Sequence, residues 1–289
     1  MTSLDFTRAT SLADAVTLLN APGLRCRPIA GGTDLVVAMR QRGPWFDRLV
    51  DITAVPGLLE IAETPDQFRI GAAVTFARAA AHPRLRAAAP MLVEACLNVG
   101  SPQIRNTGTL GGNVINAAAC ADSLPPLVAL DARAHVAGAD GERIVSITEL
   151  VTGPHQTTLR AGELLAYFTF PKLPAGARST FIKLGRRNAQ AISRLSVAAA
   201  GRLDGAGAID NVRLTLGAAQ PHTERLTRVE AMLLGQRPFP NLFVAAGKMA
   251  SNVVLENTGR RWSTEYKEIA IQGLVEQALT CILGASIQA

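Results

Sequence analysis

Aromatic residues are scarce in this chain: 4% of 289 residues, with two tryptophans and two tyrosines. Proteins that hold single-stranded nucleic acid stack bases on aromatic rings, and those that grip a duplex cluster their cations. Here the 29 lysines and arginines are dispersed, so a formal charge of +6 does not make a nucleic-acid surface. Cysteine is equally sparse. Cys26, Cys96, Cys120 and Cys281 lie far apart with no CxxC pair, which argues against an iron–sulfur cluster, a zinc site or a disulfide framework of the chain's own. Each is expected to act as a small buried hydrophobe. Long apolar runs are missing too, since Leu35 to Met39 and Ala117 to Ala121 fall far short of the roughly 18 residues a membrane span needs. The start, Met1-Thr2-Ser3-Leu4-Asp5-Phe6, has neither the basic opening nor the apolar stretch of a secretory leader, and a cytoplasmic protein is expected.

What the sequence has in quantity is apolar mass, 48% of residues, enough for one large domain or two of ordinary size. Ser11-Leu12-Ala13-Asp14 has the form of a capping box, and Leu12, Ala15, Val16 and Leu19 continue at helical spacing until Ala21-Pro22-Gly23. Strands are predicted at residues 26–30, 48–53 and 67–72, and a helix from Thr75, so the two element types alternate through the first half. From Ala132 hairpins take over: residues 133–137 and 142–147 flank Gly138-Ala139-Asp140-Gly141, and residues 164–170 form a further strand. Pro171-Lys172-Leu173-Pro174-Ala175-Gly176 suits neither ladder nor helix and is predicted as the domain boundary. Beyond it, antiparallel strands are expected at 180–187, 195–203 and 209–218, then helices, the last with Ile271, Leu274, Val275, Ala278 and Ile282 on one face.

Two glycine-rich segments carry the chemistry. In Ile29-Ala30-Gly31-Gly32-Thr33-Asp34-Leu35 a strand ends in two glycines, with Thr33 and Asp34 where a helix would begin. Such a turn can aim backbone N–H groups at a pyrophosphate, or it can be an ordinary tight turn with Thr33 or Asp34 as N-cap; both readings stay open. Thr107-Gly108-Thr109-Leu110-Gly111-Gly112-Asn113 offers three glycines, two hydroxyls and an amide for phosphate and polyol oxygens, against the competing reading of a glycine-rich β-bulge. It matches neither a Walker A loop nor GxGxxG. That two such segments occur, each followed by an apolar element, favours a dinucleotide, which has two phosphates and a polyol to hold.

These segments, together with Arg69-Ile70-Gly71-Ala72, Gly100-Ser101-Pro102-Gln103-Ile104-Arg105-Asn106, Ala121-Asp122-Ser123-Leu124-Pro125-Pro126 and Phe181-Ile182-Lys183-Leu184-Gly185-Arg186-Arg187, resemble the FAD-binding medium subunits of molybdenum hydroxylases. The resemblance spans nearly the whole chain. It implies an α+β fold: a vanillyl-alcohol-oxidase-type (PCMH-type) FAD-binding domain over residues 1–175, in subdomains of about 1–55 and 56–175, then a C-terminal flavoprotein domain over 176–289 with a three-stranded antiparallel sheet and helices. It implies FAD as cofactor, with Ala30, Gly31, Gly32, Thr33, Asp34 and Leu35 around the pyrophosphate. Thr107, Thr109, Gly111, Gly112 and Asn113 would line the ribityl and phosphate groups, Asp122 would bond the flavin's polar chain, and Lys183 would lie near the isoalloxazine.

Ala191-Ile192-Ser193 has no tyrosine to cover the ring, which leaves Ile192 for that packing, and alanines replace the Ser-Pro pair that relatives often carry before Asp122. Read without the resemblance, Asp122 is an N-cap for the helix opened by Pro125-Pro126 and Lys183 a surface strand charge. No catalytic or metal-ligating residue is expected, because flavin chemistry belongs to the cofactor. The implied partners are a large molybdopterin subunit and a small 2Fe-2S subunit, in a dimer of heterotrimers, with electrons passing through this subunit to an external acceptor. Two other functions stay open: a self-sufficient FAD oxidoreductase using one of His82, His135, His155 and His222, or a flavin-free structural subunit.

Overall fold

Short-range chemistry sets the first turn of the chain. The computed structural model describes residues 4–284, so Met1, Thr2 and Ser3 of the leader reading lie outside the described residues; it places β1 at Asp5–Arg8 and α1 at Leu12–Leu19. Ser11 Oγ accepts the Asp14 N–H at 3.1 Å, but the Asp14 carboxylate returns to the N–H and hydroxyl of Thr10 at 2.8 and 3.0 Å. The expected capping box is thus displaced by one residue on its return side. β2 (Cys26–Ile29), α2 (Leu35–Arg42) and β3 (Arg48–Asp51) follow, and the strands form a parallel sheet in the order β1-β3-β2. Parallel neighbours need crossovers, and α1 and α2 supply them.

Next come β4 (Ile61–Glu63), β5 (Gln67–Gly71) and α3 (Phe76–Ala81), then α4 (Pro83–Ala88), α5 (Pro90–Asn98) and α6 (Pro102–Thr107), each opened by proline. α7 (Leu110–Asn116) and α8 (Leu124–Ala129) lead to the hairpin of β6 (Arg133–Gly138) and β7 (Gly141–Ser146). After α9 (Ile147–Leu150) and the small pair β8 (Val151–Gly153) and β9 (Gln156–Thr157), β10 (Leu164–Pro171) completes an antiparallel sheet in the order β4-β5-β10-β6-β7. Its central strand buries Phe168 and Phe170, the latter stacked on Phe68 at 5.8 Å.

The third sheet is the expected meander of β11 (Arg178–Leu184), β12 (Leu195–Leu203) and β13 (Ile209–Gly217), followed by α10 (Thr227–Leu233), α11 (Pro240–Thr258) and α12 (Thr264–Leu283). β12 is buried at every position from Leu195 to Gly201, so it lacks the alternation of a half-solvated strand. Helices on both sides account for this: Leu195, Val197 and Ala199 join a core with Phe243, Val275 and Ile282, while α5 and α8 also pack on the sheet. Glu94 ties α5 to β11 by accepting the Phe181 N–H at 2.6 Å and the Thr180 hydroxyl at 3.2 Å, and Arg213 of β13 donates to Ala129 O at 3.0 Å.

The chain forms two compact units whose segments interleave. One takes the chain up to Ala81, Ser101–Ala118 and Asp131–Pro171; the other takes His82–Gly100, Ala119–Leu130 and the chain from Lys172. Cys96 is buried and Cys26 and Cys120 half-buried, but Cys281 is exposed, so the buried-hydrophobe expectation fails there because Cys281 lies on the outer face of α12. Among the described residues no helix is long and apolar enough to cross a membrane, and no group of three His, Cys, Asp or Glu could hold a metal ion.

Candidate functional site

The first glycine segment leaves β2 at Ile29 and enters α2 at Leu35, with Ala30 packed on a core that includes Val50 and Ile52. Gly32 sits at φ +66, in the left-handed region, and a Cβ there would press on the Val36 side chain at 3.1 Å. The Val36 N–H closes the first helical turn on Gly32 O at 2.9 Å. Among the described residues, the N–H groups of Gly31, Gly32, Thr33, Asp34 and Leu35 and the hydroxyl of Thr33 make no hydrogen bond within the protein. A helix start leaves its first amides unpaired, and here the usual remedy is missing. Asp34 occupies the N-cap position but makes no cap bond; its Oδ1 accepts from Asn116 Nδ2 at 3.0 Å instead. The reading of this segment as a side-chain-capped turn is therefore overturned for both Thr33 and Asp34. What remains is a run of open donors at the positive end of a helix, and that donor set fits a pyrophosphate.

The second segment is built the opposite way. Thr109 is the N-cap of α7: its Oγ1 accepts the Gly112 N–H at 3.0 Å, and its carbonyl accepts the Asn113 N–H at 3.0 Å. Leu110 and Gly111 donate to the carbonyls of Val74 and Ala72 at 3.0 and 2.9 Å. The β-bulge alternative gives way to a capped helix whose amides already have acceptors. Gly111 is buried, and a Cβ on it would fall 2.6 Å from Ala72 Cβ, so its role is close packing; Gly112 is exposed and Asn113 half-buried. Thr107 ends α6, its hydroxyl donating to Gln103 O at 3.1 Å.

The two segments meet. A Cβ on Gly31 would lie 1.9 Å from Thr107 O, and Asp34 and Asn116 join the start of α2 to the end of α7. Asn116 O in turn accepts from His155 Nδ1 at 2.9 Å. Sequence reasoning did not single out Asn116, since an asparagine ending a helix has no signature that points to a partner 82 residues away.

Asp122, Lys183 and Ile192 belong to the other unit. There Lys183 Nζ donates to Asp122 Oδ2 at 2.6 Å and to Asn98 O at 2.9 Å, and the Ser193 hydroxyl donates to Asp122 Oδ1 at 2.5 Å. Both charged side chains are 7% exposed. The two readings made without the resemblance thus fail: Ser123, not Asp122, precedes α8, and Lys183 is a buried ion-pair partner rather than a surface charge. Burial pushes the Asp122 carboxyl above its ordinary value, against the opposing pull of Lys183 and Ser193. Burial first, and the Asp122 charge second, push the nearby Cys96 thiol up to about 12, which keeps it protonated. Ile192, beside Ser193, is 76% exposed.

The histidines are mostly structural. His82 Nδ1 accepts the Leu85 N–H at the start of α4, and His135 stacks on Tyr167 while bonding Glu142 and Thr169.

Comparison with known proteins gives one consistent result. Residues 2–173 match the family described as FAD binding domain in molybdopterin dehydrogenase, and residues 180–282 match the CO dehydrogenase flavoprotein C-terminal domain. The chain is 31% identical over 281 residues to the xanthine dehydrogenase FAD-binding subunit of Escherichia coli O157:H7, covering 96% of each chain. It is 30% identical over 258 residues to the nicotinate dehydrogenase FAD-subunit of Eubacterium barkeri, covering 88% of this chain and 87% of that one. Its fold superposes on a chain of carbon monoxide dehydrogenase from Hydrogenophaga pseudoflava with a TM-score of 0.89 at 26% identity, covering 98% of this chain and 97% of that one.

Proposed function

Because the chain belongs to the family of FAD-binding domains in molybdopterin dehydrogenases and is an FAD-binding medium subunit of the molybdenum hydroxylase type, we propose that it relays electrons from 2Fe-2S clusters on a small partner subunit to an external acceptor. Substrate oxidation in this reading falls to a large molybdopterin subunit, the three chains assembling as a dimer of heterotrimers in the cytoplasm. FAD supplies the redox chemistry when bound, and the chain's residues bind and orient it.

The observation that carries the reading is the row of N–H groups from Gly31 to Leu35, backed by the Thr33 hydroxyl, that have no hydrogen-bond partner among the described residues. Five unpaired N–H donors on one turn suit the two phosphates of a dinucleotide. Gly31 lets the two segments approach, Gly111 packs α7 on Ala72, Ala30 packs on the core and Thr107 ends α6, while the N-cap Thr109 with Gly112 and Asn113, which are not buried, form the second segment's part of the proposed site. The roles of Asp122, Lys183 and Ile192 at the flavin, and a domain division near residue 175, rest on family membership, with the matched regions ending at 173 and resuming at 180 in support.

The test uses the purified chain. It is expected to carry a flavin absorption band at one FAD per chain and to oxidise no substrate alone, with substrate-dependent bleaching of the band only after the partner subunits are added. Turnover by the pure chain, or bleaching that needs no 2Fe-2S subunit, overturns the relay.

A further inference from the structure

α11 and α12 are joined by residues 259–263, and beside this joint lies a cavity of about 130 Å³. Its floor is apolar, with Val254, Leu255 and Ile271, except for Ser251, a residue only 2% exposed. Its wall is cationic. Lys267 Nζ donates to Ala218 O at 2.8 Å, which leaves two N–H donors, and Arg261 commits only its Nε, to Thr258 O at 3.3 Å. Among the described residues neither cation has a carboxylate partner within salt-bridge distance. The carboxylate that does line the cavity, Glu268, is faced by Arg260 at 4.0 Å.

Burial, and then the charges of Arg261 and Arg194, hold the proton affinity of Lys267 below that of an ordinary lysine. Lys267 and Arg261 line the same partly desolvated hollow and repel each other, with Arg194 adding to their field from outside the lining, so an entering anion is favoured. None of the lining residues belongs to the glycine segments or to the Asp122–Lys183 pair.

We infer that this cavity binds a phosphate group, either free phosphate or the head of a small phosphate ester. Lys267, Arg261 and Ser251 all line the cavity and together supply donors for its several oxygens, which a planar carboxylate would use less fully. Trp262, which lines the rim and is 91% exposed, offers a flat apolar surface for the organic part of an ester.

The full chain loaded with FAD, so that the flavin site is occupied, is titrated with inorganic phosphate and with phenyl phosphate and followed by phosphorus NMR. One saturable site beyond FAD is expected. Lys267→Ala and Arg261→Ala should each weaken it by about tenfold or more, and Lys267→Arg should restore most of it. Tighter binding of phenyl phosphate that Trp262→Ala abolishes identifies an ester site; equal binding of both identifies free phosphate. Absence of saturable binding, or binding indifferent to both alanine variants while the flavin band is retained, overturns the inference. Should those variants not fold, wild-type protein treated with acetic anhydride decides: phosphate is expected to protect Lys267 from acetylation, and unchanged labelling overturns the site.

Discussion

The carbonyl oxygen of Thr107 lies where a side chain on Gly31 would have to be, 1.9 Å from an ideal Cβ. No real Cβ tolerates such an approach, and the obstacle is backbone, which cannot rotate away. Gly31→Ala should therefore force the two glycine segments apart, destabilising the chain by about 2 kcal/mol or more and emptying it of flavin. Gly57→Ala is the control, since a Cβ there meets nothing within 4 Å and the backbone is not left-handed. Flavin-to-protein ratio and Tm, measured on both, check the contrast. An alanine variant at Gly31 with full flavin content contradicts it.

The two segments should also respond differently to loss of a hydroxyl. Among the described residues the Thr33 hydroxyl has no hydrogen-bond partner, so Thr33→Ala is expected to weaken FAD binding by about tenfold with little change in Tm, and Thr33→Ser to retain it. The Thr109 hydroxyl caps α7, so Thr109→Ala should cost about 1 kcal/mol of stability. Fluorescence titration with FAD and thermal melts of the three variants separate the roles. Equal Tm losses at both positions would count against the assignment.

Breaking the Asp122–Lys183 pair from one side leaves a buried charge with no opposite charge, held only by Asn98 O on the lysine side or the Ser193 hydroxyl on the aspartate side. Asp122→Ala is expected to cost about 3 kcal/mol or more, and Lys183→Met a similar amount. The double variant should be less damaged than the sum, because neither charge then remains to be desolvated alone. Urea denaturation of the four proteins gives the coupling; additive losses mean that the pair does not interact as its 2.6 Å separation indicates.

Acid sensitivity should come in part from Glu163. Its hydrogen bonds to the Arg143 guanidinium, at 2.8 and 2.7 Å, hold its carboxyl below the ordinary value, with burial opposing and the Arg160 N–H assisting. A carboxyl whose folded value is depressed binds fewer protons folded than unfolded. Its stabilisation is complete above the unfolded value of roughly 4.3 and disappears as pH falls through the folded one. Glu163→Gln should lose about 1 kcal/mol at pH 7 and show a flatter fall in stability below pH ~4.5. Melts across that range, in wild type and variant, decide it.

Much of this was readable in one dimension. Helix α1, the β6–β7 hairpin and the β11–β12–β13 meander have their periodicity, turns and breaks within a few residues of the hydrogen bonds they specify, and their bounds lie close to expectation. The glycine pairs at Gly31-Gly32 and Gly111-Gly112 likewise marked where backbone must come close to something. Which partner each approaches was not readable: Gly31 meets Thr107, and Gly111 meets Ala72.

Local composition determined the elements, the two glycine segments and the family they resemble. Only the tertiary structure decided that the first segment keeps its amides open while the second spends them on Val74, Ala72 and Thr109, and that Asp122 turns from the helix it precedes to Lys183, 61 residues away. It also decided that Pro83–Asn98 and Leu124–Ala129 join the C-terminal sheet, interleaving the two units. The reason is physical: caps and turns are satisfied within a few residues, whereas the satisfaction of a donor, the pairing of a charge and the covering of a sheet face depend on atoms that sequence distance does not order.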